Sequence, residues 1–83
     1  MEDQVRVNGL LSPSQTRAAR AWLNWSKQDL AKKSNVSAKS IARYEKGRSL
    51  PYEATLSKLR TAFESAGIRF EFERGQPKGI RVL

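Results

Sequence analysis

The side chains of this sequence best suited to chemistry are basic. Lys27, Lys32, Lys33, Lys39, Arg43, Lys46 and Arg48 all fall within residues 26–48. Such groups donate to phosphate oxygens, and an arginine or lysine also bonds O6 and N7 of guanine. Lys39 and Arg43 stand four apart, so a helix would put both on one face. Like charges at that spacing repel and mildly destabilise the free helix, and a polyanionic partner would relieve the repulsion. Other chemistries find little support. The sequence has no His and no Cys, which excludes imidazole and thiolate metal sites, disulfides and histidine-based proton transfer. A glycine-rich phosphate loop and a clustered carboxylate pair are also missing. Glu71 and Glu73 alternate along one strand face and read as a solvated edge. No enzyme activity, metal or cofactor is expected.

The charge is unevenly placed. The chain has 83 residues, a net charge of +8 and a pI near 10.5. Residues 1–11 carry −1, residues 12–50 carry +7 and residues 51–83 carry +2. A concentrated basic face is the electrostatic footprint of a phosphate-bearing partner, although an ordinary lysine-rich solvated surface has the same composition. The length suits one domain with a limited core. No run approaches the ~18 apolar residues of a membrane span. The N-terminal MEDQVRVNGL lacks the blocks of a secretory signal, and the lack of Cys fits a reducing cytosol.

Two serines set the frame for residues 26–48. Ser26 and Ser37 each precede a short helical pattern and can accept a hydrogen bond from an orphaned backbone N–H. The apolar positions are Leu30 and Ala31 after the first serine, then Val36 in the turn, then Ile41, Ala42 and Tyr44 after the second. This spacing gives each helix one buried face. The expected helices are Lys27 to about Lys33 and Ala38 to about Lys46. Asn35 is a left-handed turn residue and Gly47 a terminator. Ser12-Pro13-Ser14-Gln15 is a capping box with proline at the first helical position, opening a helix to about Leu23 that Asn24 ends. Thr16, Ala19 and Leu23 share its inner face. Trp22 lies off that stripe as a partly exposed packing residue or a subunit contact, and Trp25 should pack behind the turn. A fourth helix spans roughly Tyr52–Ala66, with Leu56, Leu59 and Phe63 at helical spacing and Gly67 as its stop.

After Gly67 the period changes to two. Ile68, Phe70 and Phe72 alternate with Arg69, Glu71 and Glu73, a half-buried strand. Residues 74–79 are turn-rich, and Ile80-Arg81-Val82-Leu83 returns antiparallel. A lone hairpin is marginal in water and needs a cover. Three candidates are a second copy of the chain, the Gln4–Val7 segment, and the fourth helix of the same chain. The second copy is preferred, because three large apolar residues exceed what one small helix easily covers. Ile68, Phe70, Phe72, Ile80 and Val82 are therefore the expected dimerisation residues. Residues 1–11 read as a short strand at Gln4–Val7 or as an arm, with Arg6 as a minor-groove candidate.

The segment Arg20–Arg48 resembles the Cro/phage-repressor (XRE-like) helix-turn-helix family of bacterial regulators. The resemblance rests on the serine opening the second helix, Leu30-Ala31, Val36-Ser37, Ser40-Ile41, and Glu45 followed by Gly47-Arg48. Pro51 and the leucines of the fourth helix extend it over about residues 12–66. It implies about five short helices, usually a dimer, on a twofold operator. Here a hairpin stands where the fifth helix would be, so the family's dimer geometry does not transfer. In such proteins the third helix lies in the major groove. Position by position, the resemblance implies base-reading roles for Ala38, Lys39 and Arg43, a groove-edge place for Ser40, and phosphate contacts for Ser26, Lys27, Lys46 and Arg48. Lys27 departs from the family's usual glutamine and would act by charge, with less geometric definition. Arg20 and Glu45 resemble the family's internal ion pair, a structural role.

The expected fold is mainly α, a four-helix Cro/repressor-like domain with a C-terminal β-hairpin. Three regions follow: an arm at 1–11, a DNA-binding unit at 12–66, and a hairpin at 67–83 for dimerisation. The expected function is a sequence-specific regulator, a repressor or dual regulator, bound as a homodimer to a pseudo-palindromic double-stranded DNA operator. It would act in the bacterial cytoplasm on the nucleoid, with no membrane partner. The alternative is an antitoxin or adaptor whose hairpin captures a regulatory protein.

Overall fold

The computed structural model describes residues 9–83. The Gln4–Val7 segment, with Arg6, lies outside the described residues. In chain order the elements are α1 (Pro13–Leu23), α2 (Lys27–Ser34), α3 (Ala38–Glu45), α4 (Glu53–Ser65), β1 (Ile68–Glu73) and β2 (Gln76–Val82). The fold is thus mainly helical with one antiparallel hairpin.

Local chemistry sets the helix ends. The Ser12 hydroxyl accepts from the Gln15 N–H at 3.1 Å, and Gln15 Oε1 accepts from the Ser12 N–H at 3.1 Å. Ser26 and Asp29 make the same reciprocal box at the start of α2, at 3.0 and 2.8 Å. Ser37 caps α3 through the Ser40 N–H. Asn24 and Asn35 end α1 and α2 with φ near +60°, a conformation whose cost asparagine reduces by local hydrogen bonding. α3 stops at Glu45, one residue before the expected end, because Lys46 leaves the helix and Gly47 takes φ +73°.

The core draws on all four helices and on β1. Ala19, Leu30, Ile41, Tyr44, Leu56, Leu59, Phe63, Ile68 and Phe70 are buried in one cluster. Each large apolar side chain removed from water this way stabilises the fold by about 1.5–3 kcal/mol. Phe63 is the hub, with Trp25 stacked on it at 5.5 Å and Phe70 meeting it edge-on at 5.6 Å. Trp22 is exposed.

The hairpin departs from expectation in two ways. Its turn is only Arg74-Gly75, both with positive φ (55° and 80°), the two-residue geometry that matches strand twist. β2 therefore begins at Gln76, and the turn-rich stretch to Gly79 is strand. Glu71 faces Gly79 while Phe72 faces Pro77. Lys78 is the extra residue of a bulge, beside a proline that lacks a ladder N–H.

The second departure is the cover. Ile68 and Phe70 are buried in their own chain's core. Phe72 and Ile80 are half-buried against it, with the Arg60 guanidinium 5.3 Å over the Phe72 ring. Of the five residues assigned to dimerisation, only Val82 is exposed, at 41%. The expectation failed because α4 does not cover the strands alone. The buried Gln15 of α1 also reaches them, its Nε2 donating to the carbonyls of Glu71 (2.9 Å) and Gly79 (3.0 Å) beside the bulge. The apolar face of β1 is thus satisfied within one protomer.

Candidate nucleic-acid interface

α3 has two distinct faces. Ile41, Tyr44 and Glu45 point inward and are buried, whereas Lys39, Ser40 and Arg43 are exposed. The inward face fixes the helix. Tyr44 Oη donates to the Leu11 carbonyl at 2.8 Å, and Thr16 Oγ1 lies 3.4 Å from it. Burial pushes the Tyr44 phenol up to about 12, so it stays a neutral donor.

The C-terminal end of α3 is clamped to α1. Arg20 donates to both carboxylate oxygens of Glu45, Nε to Oε2 at 2.8 Å and Nη2 to Oε1 at 2.7 Å. Its Nη1 donates to the Trp25 carbonyl at 3.0 Å. The Glu45 side chain is only 3% exposed, and its hydrogen bonds hold the Arg20 pKa above the ordinary value. Arg17 adds a hydrogen bond to the Glu45 backbone carbonyl. Residues 15 and 17 were not singled out by sequence reasoning. Gln15 was read only as a cap, and Arg17 only as a count of charge.

The outer cations Lys27, Lys39, Arg43, Lys46 and Arg48 have no ion-pair partner among the described residues. Lys46 and Arg48 follow the end of α3 and are exposed. Ala38, at its first turn, is half-buried. The Ser40 hydroxyl is held by Ser37 at 2.9 Å. At the start of α2, Lys27 is half-buried, and the Ser26 hydroxyl is already used as a cap. There the Ser26 backbone N–H and hydroxyl hold the Asp29 carboxyl below the usual range. Lys33 differs, with its ammonium 5.2 Å over the Trp25 ring.

Beside α3 lies an open cleft of about 300 Å³ lined by Ser40, Arg43, Ser49, Pro51, Tyr52 and Thr55 among others. Tyr52 is 86% exposed at its rim. Sequence reading placed Tyr52 inside the fourth helix, whereas it precedes that helix as an N-cap. An aromatic ring following Pro51 at the edge of a basic stretch was the available signal.

Chemically, the arrangement offers a rigid helix with two long cations on its exposed face and further cations at its end. It offers no acid–base pair. Among the described residues no cluster of three potential metal ligands occurs, and no helix is long and apolar enough to cross a membrane. A family model described as helix-turn-helix matches residues 17–65. No curated protein sequence matches the chain.

Proposed function

The chain belongs to the Cro/C1-type (XRE-like) helix-turn-helix family of DNA-binding regulators, and from that premise we propose that it is a sequence-specific transcriptional repressor or dual regulator that binds a pseudo-palindromic operator as a homodimer. The observation that carries the reading is the two-faced α3. Its inner face is locked to the core by Ile41, Tyr44 and the Arg20–Glu45 clamp, and its outer face holds Lys39 and Arg43 with no internal counter-ion among the described residues. In this reading Arg43 and Lys39 bond base edges, and Ala38 packs on a thymine methyl. Ser40 lies at the groove edge. Lys27, Lys46 and Arg48 hold phosphates, and Ser26 contributes through the backbone at the start of α2. Residues 12–66 form the reading unit, and residues 67–83 relate two copies so that half-sites fall about one helical turn apart. In this reading the protein acts in the bacterial cytoplasm, on the nucleoid.

The competing adaptor reading drew on the Ile68/Phe70/Phe72 face. Two of those side chains are buried within the protomer and the third is half-buried, which leaves that reading without its motivation. A gel-shift titration tests the proposal. Arg43→Ala should weaken the operator by about 1–3 kcal/mol and relax preference at one base pair. Unchanged affinity would overturn the base-reading assignment.

A further inference from the structure

The hairpin has two unequal edges. The Leu83 N–H donates to the Gly67 carbonyl at 2.9 Å, which makes that pair a hydrogen-bonded one. Alternation along the ladder then directs the backbone groups of Arg69 and Glu71 toward β2. The N–H and C=O groups of Ile68, Phe70 and Phe72 face the other way, off the sheet. Among the described residues the one bond to these groups is from Arg69 Nη1 to the Ile68 carbonyl. The β2 edge is blunted by Pro77, which has no N–H, by the bulge at Lys78 and by the cations Lys78 and Arg81. Proline, bulges and lysine are the devices that prevent edge pairing. The β1 edge carries none of them.

The charges on β1 also select a partner. When two copies of β1 are laid antiparallel about a twofold axis at Phe70, Phe70 faces its own copy and Ile68 faces Phe72. These are the residues whose backbone groups point outward, so the hydrogen-bonding phase is correct. Arg69 then faces Glu71 of the other strand twice, in the close non-hydrogen-bonded positions where opposite charges attract. Axes at Arg69 or Glu71 would instead oppose like charges. We infer that the β1 edge is the self-association surface of this protein, joining two hairpins into a continuous four-stranded antiparallel sheet with its twofold axis at Phe70. The inference rests on the homodimer reading above and specifies its surface and register.

Charge-swap variants of the full chain test it, followed by light-scattering mass and amide exchange across a dilution series. Within one protomer Arg69 faces Arg81, so Arg69→Glu creates an intramolecular attraction there. It also gives up the Nη1 bonds to the Glu64 and Ile68 carbonyls, and urea unfolding of each variant separates loss of fold from loss of dimer. Glu71 and Arg81 are only 3.5 Å-paired exposed groups. Arg69→Glu or Glu71→Arg alone should raise the dimer dissociation constant about tenfold or more. The double swap, Arg69→Glu with Glu71→Arg, restores the pairing and should return it to within about threefold of wild type. The Phe70 and Phe72 amides should lose protection on dilution. A dimer indifferent to the single swaps overturns the edge while leaving the homodimer intact. Protection of those amides that does not change with concentration also overturns it, and its loss on Val5→Pro with Val7→Pro would identify the chain's own N-terminal segment as the occupant. A wild-type chain that is monomeric at all concentrations overturns both readings.

Discussion

Arg20→Ala should be among the most damaging single substitutions in this protein, although it touches neither the centre of the core nor the proposed DNA face. In the wild type the Glu45 carboxylate accepts two short hydrogen bonds from Arg20, and its side chain is 3% exposed. Truncating Arg20 removes both bonds together with the one to the Trp25 carbonyl. Arg17 offers no replacement, because it bonds the Glu45 backbone carbonyl and not the carboxylate. Breaking a buried pair by removing one partner costs about 3–5 kcal/mol. Arg20 is 17% exposed on its side chain, so water can enter the vacated space, and the lower end of that range, about 3 kcal/mol, is expected. Against a total stability of about 5–15 kcal/mol for a domain of ordinary size, this is a large fraction. Removing both charges together with Arg20→Met and Glu45→Leu should cost much less, about 1–2 kcal/mol, since no unpaired charge remains. Urea unfolding of wild type, Arg20→Met, Glu45→Leu and the double variant closes the cycle. The double variant should also bind DNA within about threefold of wild type, because neither residue contacts DNA in this account. A loss below about 1 kcal/mol for Arg20→Ala would mean the pair behaves as a surface pair. A double variant as unstable as the single would refute the unpaired-charge reasoning.

Three further outcomes follow from particular contacts. Gln15→Leu leaves the Glu71 and Gly79 carbonyls without their side-chain donor and should destabilise the fold by about 1–3 kcal/mol, with amide exchange rising first in the hairpin. Tyr44 has a folded pKa raised from 10.0 to about 12, so its contribution is complete below pH 10 and is lost as pH rises through 12. The full loss is at most about 2–3 kcal/mol, and Tyr44→Phe should lack that alkaline step in urea unfolding measured from pH 9 to 12. Lys46→Ala and Arg48→Ala should weaken all DNA sequences alike, and each should flatten the log–log salt dependence of binding by about 0.9.

The parts of this structure legible in the sequence are those whose cause is local. Ser12, Ser26 and Ser37 cap helices because the donors they satisfy are three residues away. Asn24, Asn35 and Gly47 mark ends because φ is positive there. The period-two pattern of 68–73 appears as β1 for the same reason. Distant contacts were illegible. Gln15 reads as a cap in sequence, yet its amide nitrogen reaches strands 56 and 64 residues onward, and this reach is part of what lets the chain cover its own hairpin. Counting apolar residues against α4 alone omitted that help and led to a dimer face where a core exists. The bulge at Lys78 escaped notice because Gly79 and Pro77 look like turn residues when their strand partners are unknown. On the proposed DNA face, helical spacing brings Lys39 and Arg43 together, but no spacing rule links Arg20 with Glu45, 25 residues apart. That pair was visible only through resemblance to a family.

The central claim is that Lys39 and Arg43 on α3 read base identity in a twofold site. Parallel selection of bound duplexes from a random DNA library, with wild type and Arg43→Ala, measures this most directly. Wild type should enrich two inverted half-sites about one helical turn apart, and Arg43→Ala should keep the spacing while losing preference at one symmetric base pair in each half. Enrichment of no sequence, or of the same sequence by both proteins, would contradict the account.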